Sequence, residues 1–241
     1  MTRFWRIAAG VGLLLAVIVQ LLPFYIALTT SLKPRTDLSS QWVFPTSGIY
    51  GENFRVAIED GNILRAIGSS ALITVCSTIL ICVLGALAAY PLARRDTLGN
   101  KFVFAGIIGL IMIPPLSILV PVYTLLVQLG GINTYWGAIA LMVATQLPLS
   151  IFLYAAFMRG LPLSIEEAAV VDGAGLLTTL FRVVFPMLKP VTATVIILTS
   201  VSVWNEYALS VFILRSPDVR TTAPTIATTT SSGAVRAAAT A

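Results

Sequence analysis

Long apolar runs alternate with short polar segments along the whole of this 241-residue chain. An α-helix needs about 17 to 25 residues to cross the hydrocarbon core of a bilayer, and each run reaches that length. The pattern therefore predicts an all-α, polytopic integral membrane protein that folds as a helical bundle. The predicted spans cover residues 7–28, 67–93, 102–129, 135–158 and 191–214.

The stretch 102–158 holds no charged residue and is too long for one span. Residues 130–134 supply the turn that divides it, and Tyr135 follows at the depth of an interfacial aromatic belt. Pro114 and Pro115 interrupt the first of the two spans. Such prolines are tolerated where neighbouring helices or a water-lined cavity satisfy the freed backbone groups.

The first span follows Arg3 and Arg6 at the amino end. A cleaved signal peptide is the alternative, but its apolar region would cover only about 7 to 15 residues and end in an A-x-A site. This run is longer and lacks that site, which favours a membrane helix. Residues 29–65 then form a mixed loop with one short surface helix.

Basic residues predict the orientation of the chain in the membrane. The turn 94–101 carries Arg94, Arg95 and Lys101, whereas the turn 130–134 carries no basic residue. The former is therefore expected in the cytoplasm, together with the amino terminus and the segment 159–190. The expected location is the inner cell membrane, which the chain crosses several times.

The amino-acid composition argues against several other classes of protein. Hydrophobic residues make up 57% of the chain and charged residues 10%, against roughly 25% charged in a soluble domain. Histidine is absent, and Cys76 and Cys82 are expected as small apolar residues on a buried helix, so no metal site or disulfide is predicted. The net charge of +5 lies mostly in loops and indicates membrane topology rather than nucleic-acid binding.

The segment 161–190 reads LPLSIEEAAVVDGAGLLTTLFRVVFPMLKP and interrupts the membrane pattern. Ser164 and Glu167 have the S-x-x-E spacing of a capping box, which predicts a short helix over 165–172. Glu167 could therefore stabilise the start of this helix without contacting another protein. Gly173 suits the left-handed position that ends a helix and would also allow close approach of another protein.

A second helical piece is predicted from Leu176 to near Pro186, so the segment forms a helical hairpin. The hairpin is too polar to cross the bilayer and too apolar to remain in water, which favours docking into a protein groove. An interfacial helix on lipid is the alternative, but that class is rich in Lys and Arg. The apolar face is expected to comprise Ile165, Ala168, Ala169, Leu176, Leu177 and Leu180.

This hairpin resembles the EAA loop of the permease subunits of bacterial ATP-binding-cassette importers. That loop reads EAA, three residues, Gly, nine residues, then I-x-L-P. Here Glu167, Ala168 and Ala169 are followed at the same spacing by Gly173 and by VVFP at 183–186, with Val for Ile and Phe for Leu. The resemblance assigns coupling to an ATPase to Glu167, Ala168, Ala169, Asp172, Gly173 and Pro186.

Softer motifs resemble the carbohydrate branch of that family, the maltose-type permeases. They are SLKP at 31–34, AAYPLAR at 88–94, MIPP at 112–115 and WNE at 204–206. The resemblance covers nearly all of residues 1–225, which are expected to form one permease domain. Residues 226–241 are of low complexity and are expected to be disordered.

The resemblance also implies partners and a division of labour. A second homologous permease, a cytoplasmic ATPase dimer and an extracytoplasmic solute-binding protein would assemble with this chain, with membrane lipid around it and a sugar as substrate. ATP and Mg would bind to the ATPase, and this chain would bind no cofactor. The chain is not expected to be an enzyme, because it has no phosphate-binding loop and no catalytic constellation.

Polar residues at membrane depth are candidates for the solute path, because they are costly facing lipid. These residues are Gln146, Asn205, Glu206 and Tyr207. Hydrogen bonding between helices is the alternative role for them.

Family members usually have six spans, whereas about five are predicted here. A truncated, inactive permease is therefore an alternative function. A secondary transporter is another, although it would not need the EAA helix.

Overall fold

The computed structural model describes residues 3–34, 37, 39–45, 48–59, 61–216 and 218–226, and within them all regular elements are helical. The chain divides into two compact units, Met1–Asn62 and Ile63–Ala241. The first unit holds α1 (Arg3–Ser31) and α2 (Glu52–Glu59). The second holds α3 (Ile63–Arg94), α4 (Leu98–Ile111), α5 (Leu119–Gln128), α6 (Tyr135–Arg159), α7 (Leu163–Val171), α8 (Leu176–Thr178), α9 (Phe185–Met187), α10 (Lys189–Trp204) and α11 (Ser210–Ile213).

In the first unit, the loop after α1 folds back onto the end of that helix. Lys33 is 7% exposed, and its Nζ donates to Ser39 Oγ at 2.7 Å and to the Ser40 carbonyl at 2.9 Å. Asn53 of α2 donates to the Ser31 and Lys33 carbonyls. The bond to Ser31 satisfies a carbonyl at the end of α1 that has no partner within the helix, and the other bonds hold the loop in place. The predicted short surface helix is confirmed as α2.

In the second unit, α3 packs along α6 through small side chains. Buried Ser, Thr, Gly and Ala residues recur on α3 at intervals of three and four, which places them on one face. At Gly85 an added Cβ would collide with the Ser150 side chain, which would have to shift, so glycine favours this close approach of the two helices. Cys82 is buried in this packing, whereas Cys76 is exposed on the other side of α3, contrary to the expectation that both are buried.

The predicted third span is a pair of helices rather than one. α4 and the stretch Pro115–Gln128, which includes α5, meet at an angle of 100° across residues 112–114. Pro114 and Pro115 lie at this break, and neither has an N–H group with which to continue a helix. The two prolines correctly predict where the span is interrupted, but the apolar pattern does not predict the angle of the bend.

The predicted fifth span, 191–214, also differs from the structure. α10 ends at Trp204, a turn follows, and α11 forms a separate short helix. The Glu206 carboxylate accepts the Leu209 N–H at 2.8 Å, which stabilises the turn between them.

Among the described residues, three helices are each long and apolar enough to cross a membrane: Trp5–Ser31 within α1, α3 and α6. The count reaches five if each of two bent helix pairs forms one span. The prediction of an all-α, polytopic membrane protein is confirmed. The predicted disordered tail, 226–241, lies outside the described residues apart from Ile226, which ends a helical turn over 222–226.

Candidate functional site at the α7 hairpin

The hairpin begins with α7, but it does not begin as the capping box predicted. Pro162 is the N-cap residue and offers no side-chain hydrogen bond, and Ser164 lies inside the first turn. The fixed φ of proline suits the start of a helix without a capping side chain. At the other end, Gly173 adopts φ +82°, which confirms its predicted role as the terminator of the helix.

One carboxylate of α7 is buried against the end of α3. Glu166 Oε1 accepts a hydrogen bond from Arg94 Nε at 2.8 Å, and its Oε2 accepts one from the Tyr90 hydroxyl at 2.8 Å. Arg94 Nη2 faces the same Oε1 as an ion-pair contact without hydrogen-bond geometry. The Arg94 and Glu166 side chains are each 9% exposed. Both carboxylate oxygens of Glu166 are therefore occupied within the chain.

The ends of two helices favour this ion pair. Arg94 lies in the last turn of α3, where backbone carbonyls carry partial negative charge. Glu166 lies in the first turn of α7, where backbone N–H groups carry partial positive charge. Removing one partner of a buried pair typically costs about 3–5 kcal/mol, because the other charge stays buried without compensation. The ion pair therefore fixes the position of α7 relative to α3.

The next residue, Glu167, is exposed instead of buried against α3. Glu167 and Ala168 are exposed, Val170 is 62% exposed, and Val171 at the end of α7 is 86% exposed. Leu176, at the start of the returning piece, is 61% exposed. Together these five residues form what we call the outer face of the hairpin. It is apolar with one acid, and such a face in contact with water is unusual without a partner.

The predicted apolar face needs one correction. Leu180 is only 3% exposed because it packs into the core formed by α3, α6 and α10. Ile165 and Ala169 are half-buried, and the side chain of Leu177 lies outside the described residues. The outer face is consequently shifted toward the tip of the hairpin, around Val170 and Val171.

The returning piece of the hairpin contains a hinge-like segment. After α8, Thr179–Val184 is a π-helix, and α9, which includes Pro186, follows directly. The stretch Thr179–Met187 meets α10 at an angle of 76°. Leu188 lies at the corner and is fully buried. π-Helical turns occur frequently at functional sites, and this one joins the hairpin to a membrane helix.

Sequence reasoning missed the Glu166 cluster. It singled out Glu167, since that residue fits both the capping box and the EAA spacing. A signal was present in AAYPLAR, where Tyr90 and Arg94 lie four residues apart and so share a face of α3. A tyrosine and an arginine at the end of a span are also typical of the membrane interface, so this signal alone does not identify an acidic partner.

The four candidate solute-path residues have separate surroundings in the structure. Gln146, in the middle of α6, donates from Nε2 to Ser202 Oγ of α10 at 2.5 Å. Asn205 is exposed and bonds the Val201 carbonyl of its own helix, and Glu206 stabilises the turn after α10. Tyr207 is 46% exposed. The structure thus groups Asn205, Glu206 and Tyr207 after α10, while Gln146 bridges two helices.

Residues 81–240 match the family described as "Binding-protein-dependent transport system inner membrane component". The melibiose/raffinose/stachyose import permease protein MelC of Bacillus subtilis is 45% identical over 212 residues, which cover 86% of this chain and 76% of that protein. The diacetylchitobiose uptake system permease protein NgcG of Streptomyces coelicolor is 33% identical over 217 residues, covering 90% and 71%.

A solved structure shares the fold. It is the crystal structure of a bacterial ABC transporter involved in the import of the acidic polysaccharide alginate. One of its chains aligns with a TM-score of 0.77 at 22% identity, covering 94% of this chain and 80% of that one. The resemblance to carbohydrate-type import permeases is thus confirmed, and the chain belongs to the family of binding-protein-dependent transport system inner membrane components.

Proposed function

We propose that this chain is the permease subunit of an ATP-driven sugar importer and that α7 couples it to a cytoplasmic ATPase. One observation carries the coupling proposal. α7 is fixed to α3 by the buried Glu166–Arg94 pair, while Glu167, Ala168, Val170 and Val171 remain exposed. A rigidly held helix with an uncovered apolar face suits a groove in a partner protein.

In the proposed mechanism, the ATPase moves the hairpin and the hairpin moves the membrane helices. Force on the outer face passes through Glu166 to Arg94 and hence to the end of α3. It also passes through the π-helical segment to the 76° corner at Leu188 and into α10. α3 and α10 pack against α6, so a shift of the hairpin would tilt the helices that enclose the solute path.

The proposed assembly contains a second homologous permease, an ATPase dimer that binds ATP and Mg, and an extracytoplasmic solute-binding protein. This chain supplies no catalytic group and binds no cofactor. The amino terminus and the hairpin lie in the cytoplasm, since Arg94, Arg95 and Lys101 mark the turn on that side. The similarity to MelC and NgcG, both named as permeases of sugar uptake, supports a sugar as the substrate.

The proposed solute path contains Gln146, Asn205, Glu206 and Tyr207, which offer the hydrogen-bonding groups that sugar hydroxyls require. Gln146 is the most informative of them, since its bond to Ser202 joins α6 to α10 at membrane depth. A sugar that enters between these helices would compete for that amide.

Photo-crosslinking tests the coupling. A photo-reactive amino acid replaces Val171, 86% exposed on the outer face, in cells that express the complete transporter. The matched control carries it at Leu98, the first residue of α4, which is 87% exposed. We expect an ATPase adduct from position 171 and none, or far less, from position 98. Adducts to lipid alone from position 171 would contradict the proposal.

Sugar uptake tests the transport activity. The complex is reconstituted in vesicles and supplied with radiolabelled raffinose and the solute-binding protein. We expect accumulation that requires ATP, and weaker accumulation with Gln146→Leu. Accumulation without ATP would instead indicate a secondary transporter, and no accumulation of any of several oligosaccharides would contradict a sugar substrate.

A further inference from the structure

A cleft of about 430 Å³ lies where α3 and α6 end and α4 begins. Four of its lining residues are basic: Arg94, Arg95, Lys101 and Arg159. Asp96 is the acidic residue in the lining, and Glu166 neutralises Arg94 from outside it. Two positive charges therefore remain in the cleft, and they favour an anionic ligand.

The basic side chains are available to such a ligand. Arg159 stacks with its Cζ 4.3 Å from the centre of the Phe104 ring, and its Nη2 donates to the Leu92 carbonyl at 3.3 Å. These contacts orient the guanidinium without neutralising it. The side chain of Arg95 is in no hydrogen bond or ion pair within the described part of the chain.

Lys101 is paired with Asp96 at 2.9 Å, but both side chains are mostly exposed, at 63% and 83%. Exposed ion pairs contribute little to stability, so this one opens readily when an anion approaches. Lys101 would thus become a further donor to the ligand, while the balance of two positive charges stays the same.

The remaining wall of the cleft is apolar. Phe104, Ala105 and Ile108 of α4 line it, and α4 carries no charge beyond Lys101 as it continues into its apolar stretch. α3 and α6 are apolar spans that both end at this cleft, with Arg94 and Arg159 in their last turns. The cleft therefore lies at the level where the hydrocarbon core meets the lipid headgroups. A ligand that fits both walls is amphipathic.

We infer that this cleft binds the phosphate of an anionic phospholipid, with an acyl chain lying along Ala105 and Ile108 of α4. Arg95 and Arg159 are the principal donors, because arginine bonds phosphate oxygens in pairs. Basic pockets between membrane helices are known as sites for such headgroups. The inference rests on the position of the cleft in the membrane and is independent of coupling to an ATPase.

The test titrates fluorescent phosphatidylglycerol into the purified full-length chain in phosphatidylcholine nanodiscs. We expect phosphatidylglycerol to bind at least tenfold more tightly than fluorescent phosphatidylcholine. Arg95→Gln should weaken it about fivefold, and adding Arg159→Gln about fivefold again, on the order of one surface charge each. The matched control is Arg182→Gln, an exposed arginine on the hairpin outside the cleft, which should change nothing.

Three results would overturn the inference. Equal affinity for the two lipids would show that charge is not recognised. Unchanged binding in Arg95→Gln, an exposed position that should not disturb folding, would place the lipid elsewhere. Complete displacement of phosphatidylglycerol by millimolar inorganic phosphate would assign the cleft to a soluble phosphate instead.

Discussion

Glu166 and Glu167 are adjacent and chemically identical, yet the fold uses them in opposite ways. Glu166 is buried, and the Arg94 guanidinium and the Tyr90 hydroxyl occupy both of its carboxylate oxygens. Glu167 is exposed on the outer face beside Ala168. Since successive helical residues point about 100° apart, one turn of α7 can hold the hairpin with one glutamate and present the other.

The two glutamates therefore differ in what they contribute: Glu166 to the stability of the chain, and Glu167 to the proposed contact with a partner. Changes on the Glu166 side should alter the stability of the chain, because they act on contacts within it. Changes on the outer face should leave stability intact and alter only what the chain does with a partner.

The largest effect is expected from Glu166→Ala. Arg94 would remain 9% exposed without its carboxylate, and the free energy of unfolding should fall by about 3–5 kcal/mol. Equilibrium unfolding in sodium dodecyl sulfate measures this. The matched control, Glu167→Ala, should lose less than about 0.5 kcal/mol. Equal losses in the two variants would contradict the assignment of separate roles.

Tyr90→Phe removes the hydroxyl that bonds Glu166 Oε2 and leaves the ring in place. A hydrogen bond to a charged group contributes about 1.5–3 kcal/mol, so a loss of that size is expected in the same unfolding assay. Tyr207→Phe serves as the control, because Tyr207 is 46% exposed. A loss no greater than that of the control would show that Arg94 alone holds the carboxylate.

Gly173→Ala should destabilise the end of α7 by about 1–2 kcal/mol, since φ is +82° there and a left-handed conformation opposes any Cβ. Gly175→Ala is a sharp control, because Gly175 has φ −74° and open space around its Cα. The free energies of unfolding of the two variants should differ by that amount. Identical values would mean that the turn relaxes to another conformation.

Glu167→Ala should have the smallest effect on stability and a large effect on transport. We expect normal expression and unfolding, with sugar uptake by the assembled complex reduced at least severalfold relative to ATP hydrolysis. A variant that unfolds normally and also transports normally would remove Glu167 from the coupling surface.

Periodicity and composition were enough to predict the membrane class and the existence of the hairpin. Gly173 could be predicted as the end of α7 because the left-handed conformation there depends on the residue itself and not on distant contacts. The partners of Glu166 were not predictable in the same way, since Arg94 lies 72 residues away and only the packing of α3 against the hairpin brings them together. The 100° and 76° bends were likewise not predictable, because the apolar pattern does not specify the angle at a break.

Leu180 shows the same limit. Helical spacing predicts it on the exposed face, but it lies in the π-helical segment Thr179–Val184, where a regular 3.6-residue spacing does not apply, and it is buried in the core. Sequence patterns assume a regular helix, and they fail where the backbone departs from one.

The most direct test of the central claim, that the outer face of the hairpin receives an ATPase, is co-purification with Val171→Asp. Val171 is 86% exposed, so a charge there should not disturb folding, but it would be buried in the proposed interface. With Leu98→Asp as the control, we predict at least a tenfold drop in ATPase recovered per permease for Val171→Asp alone. Undiminished recovery from a normally folded variant would contradict the account.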